Sequence, residues 1–368
     1  MTKTKLPKID LFLLGLTAVL VIGGLFLFTS ASFGLVARKG FSLGDLLFDQ
    51  IVLGIGIGIP LLIGALIIPF KTVRAHVLPI FIGSILLTLL VFIPGVGLEH
   101  GGAHRWISLF GITSFQPSEA LKLGTVIYFA ALLPLFKERM QSFKYSIGLA
   151  LGIMVIPAVL LLSEPDTGTL AVLFAAVCAM LIANGARLRH FLILVVFAII
   201  AIGVLAMVKP YVKERLLTFM DSSRDPQGAS YQIQKSFIAI GSGGITGRGF
   251  GQSIQKFGSL PEPTGDSIYA VAGEEFGFIG GTLIIALFLV FGVRGLQVAR
   301  RTPNLFNGLL AVGIVILIVA QSFANIAAML GLIPLTGVPL VFVSHGGSAM
   351  AFALLEIGIL LKISKDSK

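Results

Sequence analysis

The chain has 368 residues, 56% of them hydrophobic and only 12% charged, about half of the roughly 25% charged residues of a soluble domain. This excludes a soluble enzyme and points to a polytopic membrane protein. The net charge of +10 reads as basic cytoplasmic loops with no nucleic-acid partner, and the single cysteine, Cys178, excludes a disulfide framework.

A membrane-crossing helix needs about 20 apolar residues. Lys3, Lys5 and Lys8 precede an apolar run over 10–30 with no small-residue cleavage site beyond it, so an uncleaved first span is expected there. Further spans are expected over 49–70, 76–97, 118–136, 145–163, 168–185, 190–208, 267–293, 305–332 and 338–361, ten in all. Backbone groups in lipid must be satisfied within the segment, so each is a helix. The expected fold is an all-α integral membrane protein, one polytopic domain over 1–368. A large extracytoplasmic loop, 209–266, separates helices 7 and 8.

Orientation follows from the basic residues. Sixteen Lys and Arg fall on the alternate connections and tails that share a side with the N-terminus, against three in the short connections opposite. The imbalance predicts both termini in the cytoplasm. The loop 209–266 carries seven, but long loops translocate regardless of charge. Within it, 210–220 reads as an amphipathic helix suited to the membrane surface. Asp225-Pro226-Gln227-Gly228 is a turn signal, Tyr231 to Ile240 has helical apolar spacing, and Gly241 to Gly251 holds six glycines.

The polar residues that could carry chemistry gather at the expected outer face. Arg105-Trp106 is a basic–aromatic pair that either holds a phosphate or anchors the interface. Glu119 and Lys122, at i and i+3 on the fourth span, share a helix face and are expected to form an internal ion pair. Asp166 follows Glu164-Pro165 and could cap the sixth span. Asp266 follows Pro261, Pro263 and Gly265 at the start of the eighth. It could be an N-cap, a general base, or both, with the helix N-terminus keeping it ionised. Glu274 and Glu275 lie inside an apolar span, where an insertion cost of about 2.5–3.5 kcal/mol each marks function or a paired partner. His345 is expected as a packed hydrogen-bonding group. Glycines between His100 and His104 argue against a rigid metal site. No Walker or dinucleotide motif occurs, so no nucleotide is implied. An enzyme of this kind must use a pre-activated substrate such as a lipid diphosphate.

Several of these segments resemble the SEDS family (shape, elongation, division and sporulation). They are Arg105-Trp106 with Gln116-Pro117-Ser118-Glu119, Pro165-Asp166-Thr167-Gly168-Thr169, the stretch Asp225 to Gly281, and Asn325 to Ser348. The similarity covers nearly the whole chain. Tyr231-Gln232, Ile240 to Gly244, Gln255-Lys256 and Leu260 to Pro263 look more like the division branch (FtsW, SpoVE) than the elongation branch (RodA). The chain departs from the usual family pattern at Gly265, and at His345, where tyrosine is usual.

The resemblance implies a peptidoglycan glycosyltransferase that polymerises lipid II at the outer face of the bacterial cytoplasmic membrane, with inversion, and releases undecaprenyl diphosphate. It places the catalytic carboxylate on Asp266. Arg105, Lys256, Glu262, Glu274 and Gln232 are then the expected substrate-binding residues, with a Mg²⁺ or Mn²⁺ ion as a possible aid. A class B penicillin-binding protein, a transpeptidase, is the implied partner. A lipid II transporter and a non-catalytic scaffold for a transpeptidase are the alternatives, although no paired broken helices of a transporter stand out.

Overall fold

A computed structural model describes residues 9–39, 42–100, 103–109, 113–221 and 230–366. The turn at Asp225 to Gly228 lies outside the described residues, as do the first lysines.

The apolar runs form helices, as lipid requires. In chain order these are α1 (Leu11–Lys39), α2 (Leu43–Phe48), α3 (Ile57–Ile67), α4 (Phe70–Ala75), α5 (Val77–Leu89), α6 (Pro117–Leu132), α7 (Phe143–Ser163), α8 (Thr167–Ala183) and α9 (Leu188–Val208). Then come α10 (Pro210–Met220), α11 (Tyr231–Ser242), α12 (Gln255–Gly258), α13 (Ile268–Arg301), α14 (Leu305–Met329) and α15 (Gly347–Asp366). Among the described residues, eight helical segments are long and apolar enough to cross a membrane. The segments expected as the third and sixth spans form shorter apolar helices, Val77–Phe92 and Thr167–Ala183.

α14 is the centre of the bundle and packs on α13, α8, α6 and α15. α15 lies along α3, and α5 along α6. α9 packs on α7, α8 and α10 and leaves most of its surface, such as Ile199 and Val208, uncovered.

Three features depart from the expected helices. First, the loop before α6 is a three-stranded antiparallel sheet, β1 (Gly97–His100), β2 (Ala103–Leu109) and β3 (Thr113–Phe115). Its backbone groups pair with one another.

Second, α15 starts at Gly347, not at 338. Residues 338–346 are irregular, with Phe342 at φ +67. Such backbone survives at membrane depth only when buried in protein, and Val338, Leu340, Phe342 and Val343 are buried. The segment Asp49–Gly56 is a π-helix, a form frequent at functional sites. It carries buried Gln50, whose Nε2 donates to Ser344 O at 3.1 Å and whose Oε1 accepts from Gly346 N at 3.1 Å.

Third, α13 is broken at Gly277, at φ 63 and ψ −161, a conformation open to glycine. The glycine-rich stretch after α11 docks there. Phe278 N donates to Gly244 O at 2.9 Å, Arg248 N to Glu274 O at 3.0 Å and Gly249 N to Glu275 O at 2.9 Å. The six glycines therefore let a loop lie against the break and satisfy its backbone.

Candidate active site

Pro261, Pro263 and Gly265 break any helix before α13, so the chain turns there. Glu262 O accepts from the amides of Gly265 and Ser267, each at 3.1 Å. Glu262 itself is exposed and adopts φ +42.

Three other parts of the fold clamp this turn. From α11, Gln232 Nε2 donates to Ser267 Oγ at 3.0 Å. From α14, Asn325 Nδ2 donates to Asp266 O at 2.8 Å and Val338 O at 2.9 Å. From the irregular segment, Ser344 Oγ donates to Gly265 O at 2.8 Å and His345 N to Thr264 O at 2.7 Å. The clamps grip backbone and Ser267. Among the described residues the half-buried Asp266 carboxylate accepts no hydrogen bond. Ser267 is the cap residue of α13, with no side-chain capping bond, so Asp266 is not the N-cap.

Two guanidinium groups face this carboxylate across Gly337. Gly337 adopts φ +70, and a Cβ built on it would lie 3.5 Å from Arg215 Nη2, 3.8 Å from Asp266 Oδ2 and 3.9 Å from Arg105 Nη1. Any side chain would occupy the space that the three groups share.

Arg105 comes from β2 and is fixed by main-chain oxygens at the end of α7. Its Nε donates to Glu164 O at 2.9 Å and its Nη2 to Pro165 O. Arg215 comes from α10, with Nη1 3.3 Å from Thr336 O. Asp166 Oδ1 accepts from Thr169 N at 3.0 Å and caps α8. Tyr211 completes the cluster, its hydroxyl buried without a partner among the described residues.

Burial pushes the Asp266 carboxyl up to about 6. Glu262 adds to the rise, Arg215 and Arg105 oppose it, and Asp166 adds a little. The helix N-terminus was expected to keep Asp266 ionised, but loss of hydration outweighs it. At neutral pH the group is still mostly ionised, and it titrates where a general base works.

Two expected substrate ligands, Lys256 and Glu274, are instead committed to internal partners. Lys256 Nζ lies 2.6 Å from Glu275 Oε1 and 2.8 Å from Ser30 Oγ, with both ionic side chains fully buried. Glu274 accepts from Ser253 Oγ at 2.6 Å, Ile254 N at 3.0 Å and Gln255 N at 3.2 Å, and Arg248 Nε is 3.5 Å away. A charge moved into low dielectric must be paired, and these carboxylates are the pairing groups for α12 and the loop before it. Their membrane depth therefore reports packing, the alternative already present in the sequence.

Glu119 and Lys122 pair at 2.9 Å, and Lys122 Nζ also donates to Gln321 Oε1 at 2.6 Å. Gln321 Nε2 reaches Pro339 O at 3.2 Å. The pair thus braces the irregular segment that grips the Asp266 turn. The His345 ring stacks on Phe28 at 5.6 Å, and its Nε2 is buried without a partner among the described residues.

Arg215, Asn325, Gln50 and Gly337 were missed from sequence. Arg215 lay on the polar face of an amphipathic helix, where a basic residue reads as membrane contact. Asn325 and Gly337 lay within a motif but carried no separate chemical signal. Among the described residues no group of three or more His, Cys, Asp or Glu could hold a metal ion.

The family model described as cell cycle protein (FTSW_RODA_SPOVE) matches residues 10–368. Stage V sporulation protein E of Bacillus subtilis is 36% identical over 99% of both chains. The probable peptidoglycan glycosyltransferase FtsW of Geobacter metallireducens is 35% identical over 99% of this chain and 96% of that one. Among solved structures, one described as the structural coordination of polymerization and crosslinking by a peptidoglycan synthase complex superposes with a TM-score of 0.79. It shares 27% identity and covers 97% of this chain and 98% of that one. The rod shape determining protein RodA of Thermus thermophilus shares the fold, with a TM-score of 0.68 and 24% identity over 98% of this chain and 97% of that one.

Proposed function

The chain belongs to the cell cycle protein family of FtsW, RodA and SpoVE, and we propose that its chemistry is centred on Asp266. The protein is a membrane-embedded peptidoglycan glycosyltransferase that polymerises lipid II. The observation that carries the site is one ionisable carboxylate, free of hydrogen bonds among the described residues, set across Gly337 from two guanidiniums.

The acceptor glycan presents its sugar 4-hydroxyl to Asp266. As that oxygen bonds to the anomeric carbon of the donor, its proton passes to the carboxylate. The bond from the anomeric carbon to the diphosphate oxygen breaks, and the electron pair leaves with undecaprenyl diphosphate. One in-line displacement turns an α-linked donor into a β-linked product. Arg105 and Arg215 stabilise the charge that grows on the leaving diphosphate. Diphosphate is a weak base, so no general acid is required.

Glu262 is the exposed carboxylate beside the base and lies on the substrate side of the turn. Gln232 acts through Ser267 and sets the turn. A divalent cation, Mg²⁺ or Mn²⁺, would enter on the diphosphate, because the protein offers no carboxylate cage among the described residues. The site opens on the extracytoplasmic face of the cytoplasmic membrane, with both termini inside, in keeping with the basic connections. A crosslinking partner of the class B penicillin-binding type works beside it; in support, the chain shares its fold with a chain of a structure described as coordinating polymerization and crosslinking.

The test is polymerisation of lipid II by the purified protein in detergent, with and without partner and EDTA. Asp266→Asn is expected to make no polymer while melting like the wild type. Polymer from that variant at the wild-type rate would falsify the assignment.

A further inference from the structure

Glu164 is a carboxylate of this cluster that serves neither the mechanism nor, unlike Asp166, a helix cap. It closes α7, with its amide donating to Leu160 O at 3.0 Å, and its side chain is 0% exposed. Both carboxyl oxygens are buried without a hydrogen-bond partner among the described residues. Arg105 is beside it, yet Nε and Nη2 of that guanidinium go to the main-chain oxygens of Glu164 and Pro165 and not to the carboxyl group.

An ionised carboxylate in this place would capture the neighbouring guanidinium, because a buried unpaired charge is very costly. The last carbonyls of α7 carry partial negative charge, which further disfavours an anion there. Asp166 at the head of α8 adds like charge, and Arg105 on β2 is the opposing cation. α10 contributes Arg215 and Tyr211 to the same cluster.

We propose that Glu164 is a positioning residue for Arg105: an uncharged acid packed behind the guanidinium, which leaves the Nη1 edge of that cation for the departing diphosphate. Burial and Asp166 hold the Glu164 carboxyl up at about 8, with Arg105 opposing. Above that value the anion forms, pairs with Arg105 and removes it from the substrate. The proposal rests on the diphosphate reading of the Asp266 site.

Two measurements test it. In the first, KM and kcat for lipid II are followed from about pH 7 to about pH 9. The wild type is expected to lose about tenfold in kcat/KM at one unit above the Glu164 value, where only about a tenth of the molecules keep the neutral acid. Glu164→Gln is expected to match the wild type at neutral pH and to keep its kcat/KM flat. A wild-type kcat/KM that does not change over this range overturns the proposal, with no variant needed. So does a folded Glu164→Gln protein that is inactive at neutral pH.

The second readout needs no substrate. The infrared spectrum of the wild type at neutral pH is expected to carry one protonated-acid carbonyl band that Glu164→Gln lacks, read as the difference between the two spectra because Asp266 and the other buried acids contribute to both. Superimposable spectra overturn the proposal. Failure of the parent reading is seen separately, as a wild type that makes no polymer.

Discussion

Asn325 holds Asp266 by its backbone and leaves the side chain alone: Nδ2 donates to Asp266 O at 2.8 Å while the carboxylate accepts nothing among the described residues. The same amide group donates to Val338 O. One side chain in the middle of the bundle therefore sets the height of the base and ties it to the segment that carries Gly337.

Asn325→Ala should lower kcat by about 10²-fold, since a displacement of about 1 Å costs that much. It also leaves two carbonyls unpaired, about 1–3 kcal/mol each where burial is complete, so Tm should fall. Full activity in this variant would show that the base does not depend on Asn325.

Asp266→Asn should cost about 10²–10⁴-fold in rate, the range for a general base. Tm at neutral pH should be equal to or above that of the wild type, because a charge raised in pKa by burial destabilises the fold when ionised. Rate loss accompanied by a large drop in Tm would mean that Asp266 is structural.

Gly337→Ala should lower activity. A β-carbon there meets both guanidiniums and the carboxylate only at ordinary contact distances, so the loss comes from φ +70, which disfavours any residue with a side chain, and from the space taken from the substrate. Lipid II polymerisation near the wild-type rate would contradict a shared space at this position.

Stability in detergent should fall as pH rises. Asp266 and Glu164 have folded values raised to about 6 and about 8 from ordinary values of 3.8 and 4.5. The unfolded chain loses these protons first, so the folded state binds more protons between about pH 4 and pH 8. Their contribution is complete below about pH 4 and is lost as pH climbs through about 8. Asp266→Asn and Glu164→Gln should each flatten part of the Tm curve. Activity should rise with pH through about 6, as the base ionises. A wild-type Tm that climbs over this window would contradict both shifts.

Lys256→Met should destabilise by about 3–5 kcal/mol, because it strands buried Glu275. Lys256→Met with Glu275→Leu should recover much of the Tm. Lys122→Ala should lower Tm in the same way, by stranding Glu119. Loss of polymerisation by either lysine variant without loss of stability would assign that lysine to the substrate.

How far the site was legible depends on how local each signal is. Asp266 stood out because prolines and a glycine precede an apolar run, and all of that is contained in a dozen residues. Arg105 stood out beside Trp106 for the same reason. Arg215 did not, because a basic residue on an amphipathic helix reads alike whether it meets lipid headgroups or a carboxylate from another helix. Glu274 and Glu275 drew attention as ions in an apolar span. Only the folded positions of Ser253 and Lys256, on the loop and short helix before α13, and of Ser30, far away on α1, show that these ions are paired.

Composition and apolar run length by themselves determined a bundle of membrane helices, since lipid accepts no unpaired backbone and the chain has few charges. They also determined that a turn must present Asp266 where α13 begins. Tertiary structure alone decided which cations face that carboxylate, that α13 breaks at Gly277, and that Lys256 belongs to the core. The physical reason is range: helix formation and turn breaking act over a few residues, whereas a charge is answered by whatever group the fold brings within a few ångströms.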